Sequence, residues 1–119
     1  HKRLLIAGSR NITLNEDDYS EIKRLYPKIS TIVSGGAKGV DTDAIDFATK
    51  TLSLEPLIYR PDWNPNGVFD RSAGMKRNKV LFDKSHCAVF FWDGKSTGTK
   101  NSIDLFKRSG KEYHVIIRQ

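Results

Sequence analysis

Cysteine is almost absent from this chain, and the little there is excludes an internal disulfide. The single Cys87 sits inside the apolar run Cys87-Ala88-Val89-Phe90-Phe91, where a thiol reads as core and fits a reducing compartment. No apolar run approaches the roughly 20 residues that a membrane-spanning helix needs, so no membrane partner is expected. No repeat, low-complexity tract or linker interrupts the chain, so residues 1–119 are expected to form a single domain. The 3 histidines, His1, His86 and His114, fall at the terminus or beside apolar runs. Spacing therefore builds no Ser/His/Asp set, no metal-ligand cluster and no paired carboxylates, and no metal or cofactor is implied. The chain opens on His1 and not on Met, which leaves the native N-terminus open. Nothing near it has the long apolar core of a signal peptide, and a cytoplasmic location is the expectation.

What is present is ordinary in amount and biased in charge. With 119 residues and a hydrophobic fraction of 38%, the chain can bury roughly two-thirds of its unfolded surface without metal or disulfide help. Lys and Arg number 20 against 14 Asp and Glu, a net charge of +6 that favours anionic partners such as nucleotides or nucleic acid.

Five apolar runs of strand length, at 4–7, 31–33, 57–59, 87–91 and 114–117, alternate with four segments of helical character. Runs with little polar alternation suit strands covered on both faces. The alternation predicts an α/β fold, a doubly wound parallel five-stranded sheet of order 3-2-1-4-5 with helices on both faces. The first helix is expected from near Asn15, with Glu16, Asp17 and Asp18 at its positive end, Tyr19, Ile22, Leu25 and Tyr26 facing the sheet, and Pro27 helping to end it. The second carries Val40, Ala44, Phe47, Ala48 and Leu52 at core spacing, the third spans 71–82, and the last places Ile103 and Phe106 inward before Gly110 stops it.

The loops hold the chemistry. Ser34-Gly35-Gly36-Ala37-Lys38-Gly39-Val40-Asp41 follows the second strand and opens a helix, as a phosphate-cradling turn would. Its G-G-x-x-G spacing matches neither the dinucleotide fingerprint nor the P-loop. Gly8-Ser9-Arg10-Asn11 follows the first strand, and Asp93 to Ser102, with Lys95, Ser96, Gly98 and Thr99, follows the fourth as a second Gly/Ser/Thr-rich turn. In the expected sheet all three loops leave carboxyl ends of strands around the switch point, where such sheets bind ligands. Asp41 serves either the helix dipole or a ribose hydroxyl, and Trp63 either stacks on a base or covers the core edge. Arg71, Lys76, Arg77 and Lys79 form the polar side of the third helix.

Gly8-Ser9-Arg10, the 34–41 turn, Arg77-Asn78-Lys79 and Ser96-Thr97-Gly98-Thr99 together resemble the SLOG superfamily of Rossmann-like proteins, over nearly the whole chain. The resemblance is closest to the YspA-like branch, many of whose members are bacterial or phage-encoded and which is inferred to bind nucleotides or nucleotide-derived ligands. It implies phosphate on the Gly35-Gly36-Gly39 turn and on the Gly94–Thr99 turn, with charge-assisted contacts from Arg10, Lys95 and Arg77. Superfamily members often self-associate, so a homo-oligomer is an implied partner. The 34–41 and 77–79 segments are also similar to those of the DNA-processing protein A family, which implies single-stranded DNA as an alternative ligand. The cytokinin-activating phosphoribohydrolases are similar in fold, but Ser102 stands where their Glu would be. A serine cannot replace that carboxylate, which leaves Asp41 as the only catalytic candidate for a nucleotide-cleaving hydrolase.

Overall fold

Leu4, Leu5, Ile6 and Ala7 are apolar without alternation because both faces of their strand are covered. The computed structural model describes residues 2–118. Its strands are β1 (Arg3–Gly8), β2 (Thr31–Ser34), β3 (Leu57–Ile58), β4 (Cys87–Trp92) and β5 (Glu112–Ile117). They form one parallel sheet of order β3-β2-β1-β4-β5, with Leu4 opposite Cys87 and Gly8 opposite Phe91. The helices are α1 (Glu16–Leu25), α2 (Val40–Asp46), α3 (Ala73–Lys84) and α4 (Thr97–Ser109). This is the doubly wound, Rossmann-like arrangement that the sequence predicts.

The two-residue period of the strands sorts their side chains into two cores. Leu4, Ile6, Ile32, Val89 and Phe91 meet α1 and α2 on one face, where Ile22, Val40, Ala44 and Phe47 are buried and the Tyr19 ring stacks on Phe47 at 4.7 Å. Leu5, Ala7, Val33, Ala88 and Phe90 meet Leu81 of α3 and Ile103 and Phe106 of α4 on the other. Cys87 is buried and free, as its run predicts. Asn15 caps α1 through a reciprocal pair, its side chain accepting from Asp18 N–H and its own N–H donating to the Asp18 carboxylate, each at 2.9 Å. No helix among the described residues is long and apolar enough to cross a membrane.

Helix α3 runs two residues later than the expected 71–82 and β5 starts two residues before the expected 114, and three larger departures stand out. Strand β3 pairs over only two residues, although Tyr59 N–H still reaches the Ser34 carbonyl at 2.9 Å. The second helix changes pitch at Phe47, continuing to Thr51 as a π-helical segment with Leu52 N–H donating to Phe47 O. Helix α4 starts at Thr97, inside the stretch read as a turn. Its first turn is written in Thr, Gly and Thr, residues of low helix propensity whose place is fixed by packing: Thr99 and Ser102 are buried.

Phe106 is fully buried, with its ring 5.0 Å from Phe82 and 5.5 Å from Phe90. Phe106→Ala should lower the unfolding free energy by about 3–5 kcal/mol in urea denaturation. A loss below about 1 kcal/mol would contradict this packing of α4 on the sheet.

Candidate functional site

Successive connections carry the chain from β1 outward to β2 and β3, then back across to β4 and β5. The loops after β1 and β4 therefore diverge from adjacent strands and leave a crevice between them. Close backbone approach holds its floor together. Ser9 N–H donates to Phe91 O at 3.0 Å, and the buried Ser9 hydroxyl accepts from Asp93 N–H at 3.1 Å. A Cβ on Gly8 would collide with the Phe91 carbonyl oxygen, so a side chain there would force the two strand ends apart. Above this floor lies a cleft of about 490 Å³, walled by Ala37 and Asp41, by the 71–78 stretch around the start of α3, and by the first turn of α4.

The glycine turn before α2 uses two of its backbone donors, those of Gly36 and Ala37, on itself. The Ser34 hydroxyl, fully buried, donates to Asp41 O at 3.0 Å and accepts from Gly36 N–H at 3.3 Å. Ala37 N–H donates to Asp41 Oδ2 at 3.2 Å. Gly39 has φ +78°, and a Cβ there would lie 2.5 Å from Arg10 O, so glycine is needed both for the turn and for the β1–α1 loop that rests on it. Asp43 secures the same loop by accepting Leu14 N–H at 2.8 Å.

Arg77 ties this turn to α3. Its Nη1 donates to Gly35 O at 2.7 Å and its Nε to Asn78 Oδ1 at 3.1 Å. The guanidinium lies where a Gly35 Cβ would be. Asn78, itself buried, donates onward to Gly98 O at 3.3 Å and to Asn101 Oδ1 at 3.1 Å, which fixes α3 against the start of α4. The Asp41 carboxylate approaches the same Gly35 position, 2.9 Å from where a Cβ would be; the residue is 6% exposed, and its Oδ1 has no hydrogen-bond partner among the described residues. Burial pushes its carboxyl above the ordinary range, against the opposing pull of the Ala37 N–H and of Arg77 and Arg10. Burial likewise pushes the Arg77 guanidinium down from its ordinary value.

At the far wall, Asp93 supplies its own carboxylate to the loop. Oδ1 accepts the N–H groups of Lys95 and Ser96, each at 2.8 Å, and these bonds hold the carboxyl below its ordinary range. The N–H groups of Thr97, Gly98 and Thr99 are different. Ser96 makes no side-chain cap, its hydroxyl pairing with Thr99 Oγ1 at 3.3 Å, and the first helical bond of α4 is Lys100 N–H to Ser96 O. Three donors at the positive end of a 13-residue helix are thus left open beside the cleft. Gly98 needs no glycine for packing, since a Cβ there meets nothing within 4 Å. Trp63, 39% exposed, covers the opposite rim, stacked on Phe69 with ring centroids 6.2 Å apart.

Of the residues singled out in the sequence, Gly8, Ser9, Arg10, Asp41, Trp63, Arg77, Ser96, Gly98 and Thr99 line the one cleft. Gly35 and Gly36 line an adjoining recess of about 290 Å³, which shares Arg10, Trp63 and Arg77 with it. Ser34 and Gly39 lie in the framework beneath, and Lys38 and Lys95 are exposed outside the lining. Ser102 is buried under α4 and does not reach the cleft. Arg60, Arg71, Asn78 and Asp93 were not among the ligand contacts expected from the sequence, yet all line one or other hollow. Asp93 had a signal, an acid two and three residues before the N–H groups it accepts; Arg60 and Arg71 look like any solvated arginine. Among the described residues, no group of three His, Cys, Asp or Glu side chains is placed to hold a metal ion.

The raised Asp41 carboxyl has a stability consequence with a definite sign. Its contribution is most favourable below the ordinary carboxyl value of 3.8 and is lost as pH rises through the raised folded-state value. Asp41→Asn should therefore stabilise the fold at neutral pH, with the gain shrinking as pH falls toward the ordinary carboxyl value of 3.8. Thermal denaturation of both proteins across that range checks it, and a gain independent of pH would contradict it.

Compared with known proteins, the chain matches no family model and no solved structure. It is 24% identical over 100 residues to the uncharacterized SPbeta prophage-derived protein YoqJ of Bacillus subtilis (strain 168). That alignment covers 74% of this chain, which spans 58% of the relative's length.

Proposed function

We propose that this protein binds a nucleotide or nucleotide-derived ligand in the cleft at the β1–β4 switch point, in the manner that its resemblance to the SLOG superfamily implies. The observation that carries the reading is the open first turn of α4: three N–H donors without partners in the helix, over a glycine that packing does not require. A phosphate is the guest that such a turn suits, and Arg10 and Arg77 on the facing wall supply the charge. On this reading the first turn of α4 is the main phosphate seat, while in the Gly35-Gly36-Gly39 turn the Gly36 and Ala37 donors are already taken internally. Trp63 and Met75 give the outer end of the cleft an apolar surface for a base. Asp41 stands between the two ends, within the cleft lining, as the acceptor for a ribose hydroxyl.

A second reading, single-stranded DNA, is favoured by the stacked Trp63–Phe69 pair, both rings of which are exposed beside a basic rim. The two readings separate by salt, because counterion release makes DNA affinity fall steeply as ionic strength rises.

Calorimetric titration of nucleoside mono- and diphosphates into wild type and Gly98→Val tests the cleft. The added side chain points into open space, so the fold should keep its stability to within about 1 kcal/mol. Nucleotide affinity should fall roughly tenfold or more. Unchanged affinity in the variant, or no binding by wild type across the panel, would overturn the proposal.

A further inference from the structure

The recess beside the main cleft is lined by three arginines and no acid. Arg10, Arg60 and Arg77 surround it together with Gly35, Gly36 and the Trp63 ring, in a volume of about 290 Å³. None of the three makes an ion pair within 4.0 Å among the described residues, whereas Arg24, Lys76, Lys79, Lys100 and Arg118 all do. Asp41 does not line the recess, but its carboxylate approaches the same Gly35 position as Arg77 and attracts Arg77 and Arg10, which leaves Arg60 as the arginine with no acid beside it in the recess. Asp62, near Arg60, accepts the Asn64 N–H at 3.2 Å and forms no ion pair with it.

The guanidiniums are spaced for more than one oxyanion. Arg77 lies against Gly35, and Arg60 lies over Gly36, where an added Cβ would sit 3.0 Å from the Arg60 Cζ and Nε. Two cations thus stand over consecutive residues, whose Cα atoms are about 3.8 Å apart. Arg10 and Arg77 line both the cleft and the recess, so an anionic chain leaving the cleft passes between them and arrives at Arg60. Arg10 and Arg77 repel each other and share the single carboxylate of Asp41, and a planar guanidinium is suited to grip phosphate oxygens in pairs.

We propose that the Arg10–Arg60–Arg77 recess is a second phosphate site, and that the ligand is a nucleoside diphosphate, or a larger molecule built on one, whose outer phosphate Arg60 reads. The nucleoside half of this proposal rests on the nucleotide-binding function proposed above; the anion site itself rests on the arginines alone. Arg60 is the specificity-determining residue. Its side chain is exposed and makes no hydrogen bond among the described residues, so its removal takes no support from the fold.

The experiment titrates adenosine 5′-monophosphate, adenosine 5′-diphosphate and inorganic pyrophosphate into wild type, Arg60→Ala and Arg60→Lys, with melting temperatures recorded for each protein. Wild type should prefer the diphosphate over the monophosphate by roughly tenfold or more. In Arg60→Ala that ratio should collapse toward one, and Arg60→Lys should recover part of it, with melting temperature unchanged or raised. A ratio near one in wild type, or a ratio that survives in Arg60→Ala, overturns the second site while leaving nucleotide binding in place. If pyrophosphate binds in an Arg60-dependent way and neither nucleotide does, the recess stands and the nucleotide reading of the cleft fails. If none of the three probes binds, both fail.

Discussion

Arg77 reaches from α3 across the carboxyl edge of the sheet to the carbonyl of Gly35, and most of the geometry at that edge follows from this reach. A guanidinium that is half-buried must have its donors satisfied, because an unpaired buried cation is costly. The Gly35 carbonyl and the Asn78 side chain meet that need, and in doing so they fix the distance between α3 and the turn before α2. Asn78 passes the constraint on to α4 through Gly98 and Asn101. Two adjacent side chains, Arg77 and Asn78, therefore set three walls of the cleft, and a Cβ on Gly35 would collide with the Arg77 guanidinium.

Donor satisfaction also decides where an anion would go. Two glycine-containing turns face the switch point, and both have already bound a carboxylate of the chain itself. Asp41 accepts from Ala37 before α2, and Asp93 accepts from Lys95 and Ser96 before α4. What the cleft presents to an anion is the first turn of α4 and the arginines opposite. The built-in carboxylates do more than fill space: they lower the net positive charge of a cleft that holds Arg10, Arg71 and Arg77. The recess next door has no acid in its lining, and Arg60 adds a positive charge there that no ion pair balances among the described residues.

The sheet was legible in the sequence because each buried strand is a short apolar run and each crossover is a helix, which together leave few topologies. The two cores were legible for the same reason: Leu4 and Ile6 must face opposite to Leu5 and Ala7. The start of α4 was not, since Ser96-Thr97-Gly98-Thr99 has turn composition and only tertiary packing makes it helical. Nor was the change to π pitch at Phe47, which the apolar spacing does not signal. In the site, glycines and arginines adjacent to strand ends were found, while Lys38 and Lys95 were drawn in by charge and point elsewhere. Arg60 went unnoticed because its significance comes from lying over Gly36, a contact between residues far apart in the chain.

Chemical shifts of the backbone amides and of the Arg77 guanidinium, followed by NMR as adenosine 5′-diphosphate is added, test the central claim most directly. Binding at the switch point predicts the largest changes at the amides of Thr97, Gly98 and Thr99 and at the Arg77 Nε–H, with β5 and the outer face of α1 unmoved. Changes centred away from those groups, or none at saturating nucleotide, would contradict it.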